Sequence, residues 1–229
     1  MERQENMKAR PPSLRQLAEE NKNQIIIAFA IIIVFHLVGL VGFLVPGLTP
    51  VFLKIVPWHL LLMSLMLIFS HKFIDGRFLL FFLCLFIAGY GVEWIGINKH
   101  LLFGEYSYGQ TLGIKLFGVP LIISINWFML IYSTGVLMHR SRLKSMLSRI
   151  ITGSLLLVLL DFLMEPVAGR FDYWHWANNT IPLSNYACWF FVSGFMLVIF
   201  ERFTFKRQSI VAPIFLAMQF ILFGILHFI

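Results

Sequence analysis

The chain has 229 residues, of which 59% are hydrophobic and only 13% are charged, and its formal net charge is +7. Its mean hydropathy of +0.83 lies far above that of a soluble globular chain. A positive charge of this size would suggest nucleic-acid binding in a soluble protein, but here the basic residues cluster in alternate loops between apolar segments, as membrane topology requires. We therefore predict an all-α, polytopic protein of the lipid bilayer, with no nucleic-acid partner.

Seven segments approach the length of about 20 apolar residues that a membrane-spanning helix needs. A polar tail, residues 1–23, precedes them, and residues 24–229 are predicted to form a single transmembrane domain. The predicted segments are 24–45, 51–69, 78–97, 119–138, 147–165, 187–201 and 210–228, of which the sixth is the shortest. We expect a bundle of about seven transmembrane helices.

The distribution of Lys and Arg predicts the orientation of the bundle. Fourteen of the 18 basic residues fall in the tail and in the loops after segments two, four and six. The other four belong to the opposite side: Lys54, Lys99, Lys115 and Arg170. Because cytoplasmic loops carry the excess of Lys and Arg, the tail is expected in the cytoplasm and the C-terminus outside the cell (inner) membrane.

Acidic residues occur late in two apolar segments, and each is followed by an aromatic loop. Glu93 precedes Tyr106 by thirteen residues, and Asp161 precedes Trp174 by the same number. Two more aromatic residues, Tyr108 and Trp176, lie two residues further on in each copy. A charged group inside hydrocarbon is costly, so an intramembrane carboxylate marks a functional site or a buried ion pair.

The matching spacings extend into the helices that follow. Pro120 precedes Trp127 by seven residues, and Pro182 precedes Trp189 by seven. We predict an internal parallel repeat of helix, aromatic loop and helix, with copies at about 78–138 and 147–201 related by an axis along the membrane normal. Both loops are predicted to face outward with about twenty residues each, longer than the usual connections of a bundle.

Two interpretations of Glu93 and Asp161 are open. In the first, one of the two carboxyl groups stays protonated in an apolar pocket and acts as a general acid. In the second, each carboxylate pairs with a buried His or Lys, or forms hydrogen bonds that anchor the loops. Glu165 lies one helical turn beyond Asp161 and directly before Pro166, where the helix is expected to end. We expect Glu165 at the mouth of the pocket, as a catalytic residue or a loop anchor.

The candidate binding residues are aromatic and amide side chains near the outward face, together with one intramembrane histidine. They are Trp94, Tyr106, Tyr108, Asn126, Trp127, Trp174, Trp176, Asn185, Trp189 and His59. Aromatic belts are common at membrane interfaces, but aromatic faces also stack on a flat polyene or stabilise a carbocation. The amides could hold a water or a hydroxyl group or link helices, and a lone histidine in a span is more often a core residue than a ligand.

Several classes of membrane protein are excluded by missing motifs. The last segment contains no Lys for a retinal Schiff base, and the chain has no His-rich box of the kind a di-iron hydroxylase needs. Neither a Walker motif nor a dinucleotide-binding glycine motif is present. We predict no metal and no cofactor.

Two motif sets, spread from about Gly89 to Trp189, resemble a known family. The first consists of Gly91-Val92-Glu93, Phe103-Gly104-x-Tyr106-x-Tyr108, Gly118-Val119-Pro120-Leu121 and Trp127. The second consists of Asp161, Glu165-Pro166, Trp174-x-Trp176, Ile181-Pro182 and Asn185-x-x-x-Trp189. Together they resemble a family of membrane carotenoid-biosynthesis proteins that includes carotenoid 1,2-hydratases and the bisanhydrobacterioruberin hydratases of archaea.

The resemblance implies hydration of the terminal C1,2 double bond of a lycopene-like acyclic carotenoid end to a tertiary alcohol. Glu93 or Asp161 would donate a proton, the tertiary cation would lie against Tyr and Trp faces, and a water held by the other carboxylate would add. No redox cofactor is needed. The expected partners are an acyclic carotenoid and, by extension, other enzymes of its pathway.

Two other function classes fit the same sequence features. A proton-coupled transporter would share the parallel repeat but would place its carboxylates near mid-depth, facing an aqueous cavity. A non-catalytic carotenoid-binding protein would keep the aromatic loops without turnover. The predicted position of both carboxylates toward one face argues against the transporter.

Overall fold

The computed structural model describes residues 14–206 and 208–229, so the first thirteen residues of the predicted tail and Arg207 lie outside it. Within this part of the chain, seven α-helices form a bundle, which confirms the predicted all-α polytopic fold. The elements are α1 Leu14–Leu44, α2 Thr49–Phe69, α3 Gly76–Lys99, β1 Tyr106–Tyr108, β2 Lys115–Leu116, β3 Val119–Pro120, α4 Leu121–Arg140, α5 Met146–Arg170, β4 Trp174–Trp176, α6 Leu183–Arg202 and α7 Val211–His227.

The described helices match the predicted segments, with differences at their ends. Six are long and apolar enough to cross a membrane, and α7, with 17 residues, is at the lower limit of spanning length. α1 begins at Leu14, so the end of the predicted polar tail belongs to the first helix. The prediction that the sixth segment is the shortest is wrong, because α6 has 20 residues and begins directly after Pro182.

The polar residues at the start of α6 explain this error. Ser184 and Asn185 lower the hydropathy of the first turn, yet both are helical and bond inside the protein. Ser184 donates to the backbone carbonyl of Phe103, which ties α6 to the first aromatic loop. Hydropathy therefore placed the helix start several residues too late.

The predicted end of α5 at Pro166 is also wrong. The helix continues through Pro166 to Arg170, since a proline removes only one backbone hydrogen bond and packed membrane helices tolerate that loss. The loop between α5 and α6 is therefore only residues 171–182, whereas the loop between α3 and α4 covers residues 100–120. The expected length of about twenty residues is correct for the first loop only.

Packing of the bundle follows the internal repeat. α3 packs on α4 and α5 packs on α6, while α4 is the most buried helix, α2 and α7 cover its remaining side, and α1 packs on α2 and α7. The two aromatic loops meet through β1 and β4, which pair antiparallel about Ser107 and His175. These two residues are equivalent in the repeat. A two-fold axis that passes between them and relates the two copies would produce this antiparallel pairing.

Candidate active site

Glu93 is the centre of the first cluster of polar side chains. Its Oε2 accepts hydrogen bonds from the hydroxyl groups of Tyr106 and Tyr108, both at 2.6 Å, and its Oε1 accepts one from Trp127 Nε1 at 2.8 Å. Tyr106 and Tyr108 reach the same carboxyl group because alternate residues of β1 face one side, with Ser107 exposed between them. Burial raises the pKa of both phenols far above the usual range, so they remain protonated donors.

A second cluster contains two carboxyl groups. Glu165 Oε2 accepts hydrogen bonds from Trp176 Nε1 at 2.6 Å and from Trp174 Nε1 at 3.1 Å. Asn185 Nδ2 donates to Glu165 Oε1 at 2.9 Å and to Asp161 Oδ2 at 2.7 Å. The amide of α6 therefore bridges two carboxyl groups of α5, and the second loop is fastened to Glu165.

The structure changes the expected equivalence between the two copies. The sequence spacing pairs Glu93 with Asp161, but the loop residues of the second copy bond to Glu165, one helical turn closer to the loop. Asp161 lies about 6 Å further from the loop along α5. Its side chain is fully buried, and its Oδ1 has no hydrogen-bond partner among the described residues.

A small chamber of about 40 Å³ separates the two clusters, and both Glu93 and Glu165 line it. This volume is large enough to hold a water molecule. Trp127 and Trp189, which are equivalent in the repeat, stack in its wall with ring centroids 4.5 Å apart. Eight of the predicted binding residues line the chamber: Tyr106, Tyr108, Asn126, Trp127, Trp174, Trp176, Asn185 and Trp189.

A larger cavity of about 300 Å³ adjoins the chamber. The two cavities share Ile123, Asn126, Met164 and Trp174 as lining residues. Four residues of its lining are also exposed on the outside of the bundle: Phe35 and Val38 of α1 and Ile55 and Trp58 of α2. The larger cavity therefore opens sideways between α1 and α2, at the depth of the lipid. His59 lies in its wall.

Two predicted site residues lie outside both cavities. Asp161 reaches the chamber only through Asn185, so its predicted direct contact with a substrate is wrong for this geometry. Trp94 follows Glu93 directly in α3 and faces another direction, with the Lys99 ammonium above its ring. Sequence reasoning also missed three apolar residues that line the chamber, Phe103, Ile123 and Met164. Of these, only Phe103 had a signal, because it belongs to the aromatic loop motif.

The carboxyl groups of the site are not neutralised by basic side chains. In the described part of the chain, the ion pairs join Glu201 to His139 and Arg149 near one end of the bundle, and Asp172 to His175 on an exposed loop. The interpretation in which Glu93 and Asp161 each pair with a buried His or Lys is therefore wrong. Neutral hydroxyl, indole and amide groups surround the site instead.

Comparison with known proteins agrees with this geometry. A family model described as "carotenoid biosynthesis protein" matches residues 53–229, which include every residue of both polar clusters. A bisanhydrobacterioruberin hydratase of Haloarcula japonica is 30% identical over 196 residues, covering 80% of this chain and 67% of the relative. No solved structure matches the chain. The chain is a helical membrane protein that belongs to the carotenoid biosynthesis protein family.

Proposed function

We propose that the protein hydrates the terminal C1,2 double bond of a lycopene-like acyclic carotenoid end to give a tertiary alcohol. The observation that carries this proposal is the pair of carboxyl groups, Glu93 and Glu165, which line one aromatic chamber with room for a water molecule. The chamber adjoins an apolar cavity that opens toward lipid. The family membership and the name of the Haloarcula relative support the same chemistry.

The hydrogen-bond partners distinguish the two carboxyl groups. An indole N–H only donates, whereas a phenol hydroxyl both donates and accepts. Glu165 Oε2 receives two indole donors, and this arrangement holds Glu165 as a carboxylate. Glu93 Oε2 faces two tyrosine hydroxyl groups, which can rotate and accept the proton of a neutral acid. We assign Glu93 as the general acid and Glu165 as the fixed negative charge.

The reaction balances with water as the co-reactant. Protonated Glu93 transfers its proton to the less substituted alkene carbon, and the π electrons form the new C–H bond. The positive charge falls on the tertiary carbon, and the oxygen of a water molecule adds to that carbon. The proton released by this water returns to Glu93, which closes the cycle without a redox cofactor.

The chamber walls supply stabilisation for the cation. The stacked rings of Trp127 and Trp189 offer aromatic faces to the cation. The carboxylate of Glu165 lines the same chamber, and its negative charge attracts the cation. Glu165 also orients the attacking water. Asp161 Oδ1 is fully buried and has no hydrogen-bond partner in the described part of the chain, so it accommodates a proton. Asp161 then acts as a neutral positioning residue that supports Glu165 through Asn185.

The substrate reaches the chamber from the bilayer. A carotenoid is a lipid-soluble rod, and the larger cavity opens between α1 and α2 beside exposed apolar residues. Its chain would lie in the larger cavity, with the terminal double bond passing Asn126 and Met164 into the chamber. With the N-terminus in the cytoplasm, as the basic residues predict, the chamber lies toward the outer face of the cell membrane.

Expression in cells that accumulate lycopene tests the proposal. The extracted pigment should gain one water per reacted end, as measured by mass spectrometry and chromatography. Unchanged pigment, in cells whose protein purifies as a folded species, would reject the hydratase. If that protein still binds the pigment, the non-catalytic carotenoid-binding protein is the function that fits; if it instead moves a solute across vesicles, the transporter fits.

A further inference from the structure

A polar cluster lies in the wall of the larger cavity, within an otherwise mainly apolar lining. It consists of His36 of α1, His59 of α2 and Gln219 of α7. His36 Nδ1 lies 2.7 Å from the backbone carbonyl oxygen of Ile32, and His36 Nε2 lies 2.9 Å from Gln219 Nε2. Polar side chains inside a membrane protein are costly and generally functional, so this cluster calls for a ligand or a structural reason.

The hydrogen bonds fix the role of His36. A carbonyl oxygen only accepts, so His36 Nδ1 carries the hydrogen that bonds to Ile32. Nε2 of the neutral ring is then the acceptor, and it receives a hydrogen from the Gln219 amide. Both ring nitrogens of His36 are satisfied within the protein, and this residue has a structural role.

His59 differs from His36 in this respect. Its ring lies edge-on against the ring of His36, with centroids 5.1 Å apart. Among the residues that the structure describes, no hydrogen-bond partner reaches the His59 ring, which lines the cavity. An imidazole that faces hydrocarbon without a hydrogen-bond partner costs free energy, because it has lost its hydrogen bonds to water and gained none in return. A ligand that brings an oxygen atom to this position would remove that cost.

We propose that His59 recognises an oxygen substituent on the chain held in the larger cavity, so that the preferred ligand is a hydroxylated isoprenoid and not a pure hydrocarbon. A hydroxyl group suits a neutral imidazole, because each partner both donates and accepts. This inference adds a ligand preference to the proposed function. It depends on that function for one point, that the reacting end of the chain lies in the chamber.

The dimensions of the cavity limit where the oxygen lies on the chain. Along α1 the lining runs from Phe35 to Phe43, a distance of about 12 Å at the helical rise per residue. Phe43 contacts Phe171 at the loop end of the cavity, and His36 and His59 lie at the opposite end. The hydroxyl group is therefore expected about a cavity length away from the terminal double bond.

Binding of short prenyl alcohols tests the inference without requiring turnover. The full chain in detergent would be titrated with geraniol, farnesol and geranylgeraniol, and with the hydrocarbons of the same carbon skeletons, at equal ligand-to-detergent ratios. One alcohol of the series should bind about tenfold more tightly than its hydrocarbon, a difference of about 1.4 kcal/mol. Equal affinities for every alcohol and hydrocarbon pair in the native protein would overturn the inference.

Variants of His59 assign the preference to this residue. His59→Leu should bind the alcohol and the hydrocarbon equally, and His59→Asn, which keeps a donor and an acceptor, should retain part of the preference. Leu62→Ala, a change in the same cavity wall, should weaken both ligands by the same factor. A full preference in His59→Leu would contradict the assignment, and if that variant does not fold, the native protein and His59→Asn still decide.

The outcomes separate this inference from the proposed function. A preference for the alcohol in a protein that leaves lycopene unchanged would reject the hydration of lycopene and keep the oxygen site. Conversion of lycopene by a protein that binds each alcohol and its hydrocarbon equally would keep the hydratase and reject the oxygen site.

Discussion

Replacement of Glu93 by Gln removes a proton donor while keeping the size and shape of the side chain. The proposed mechanism assigns the first proton transfer to Glu93, whose carboxyl group lines the chamber. General acid catalysis of this kind contributes about 10²–10⁴-fold to the rate. We therefore expect Glu93→Gln to lower the rate of conversion by at least about 100-fold, with the pigment still bound.

The structure also sets the expected effect on stability. The amide oxygen of Gln must face Trp127, since the indole only donates, and the NH₂ group then faces the oxygens of Tyr106 and Tyr108. One tyrosine hydroxyl group already accepts the proton of neutral Glu93, but the other, which donates to the acid, loses its acceptor at a cost of about 1–3 kcal/mol. For a chain of this length, each kcal/mol lowers the melting temperature by about 2–4 °C.

The assay is conversion of lycopene by purified protein, with thermal unfolding of the same preparations measured in detergent. Glu105→Gln is the matched control, because Glu105 is exposed in the same aromatic loop and should keep native activity and stability. If Glu93→Gln retains more than about a tenth of the native rate while it is folded, Glu93 is not the proton donor. Loss of activity in Glu105→Gln as well would show that the loop is sensitive to any such change.

Three further substitutions or conditions test other parts of the structure. Gly96→Ala would place a methyl group 2.6 Å from the Tyr106 hydroxyl oxygen, and it should lower conversion about tenfold by moving that hydroxyl from the carboxyl group. Trp176→Phe removes the 2.6 Å hydrogen bond to Glu165, and thermal unfolding should show a loss of about 1.5–3 kcal/mol. Burial lowers the pKa of His71 from 6.5 to about 4, so the free energy of unfolding should fall as the pH is lowered through that interval. His71→Gln should remove this dependence.

Each of these changes has a control that separates the stated cause from a general effect. Gly91→Ala adds a methyl group to α3 at a position where no other atom lies within 4 Å, so the rate of conversion should equal that of the native protein. Trp94→Phe removes an indole outside both cavities and should leave the melting temperature unchanged, unlike Trp176→Phe. His100→Gln alters an exposed histidine and should keep the acid-dependent loss of stability. Lowered conversion in Gly91→Ala, a lowered melting temperature in Trp94→Phe, or disappearance of the acid-dependent loss in His100→Gln would contradict the corresponding explanation.

Much of the fold follows from local patterns in the sequence. Apolar stretches of spanning length predict the helices, and the equal spacing of acidic and aromatic residues predicts the repeat whose two loops are joined by β1 and β4. The helices and the spacings within each copy depend on residues close together in the chain, which is why the sequence alone reveals them. The pairing of Tyr106 with Trp176 and the chamber shared by Glu93 and Glu165 join distant residues, and the sequence does not reveal them.

The remaining features depend on distances that spacing does not encode. The choice of Glu165 over Asp161 as the loop anchor follows from the continuation of α5 past Pro166, which a proline rule does not predict. The larger cavity forms where α1, α2 and α7 meet, and its bond between His36 and Gln219 joins residues 183 positions apart. No periodicity or motif indicates a contact at such a separation.

The two copies of the repeat supply carboxyl groups to one chamber, but their loops carry different donors. Tyr106 and Tyr108 lie where the second copy has Trp174 and Trp176, so the loop donates hydroxyl groups to one carboxyl group and indoles to the other. A hydroxyl group exchanges the roles of donor and acceptor as a proton leaves or returns, whereas an indole does not. Acid-catalysed hydration needs one group that releases and recovers a proton and another that stays negative beside the cation. The proposed division of roles between Glu93 and Glu165 therefore rests on the exchange of tyrosine for tryptophan between two otherwise similar loops.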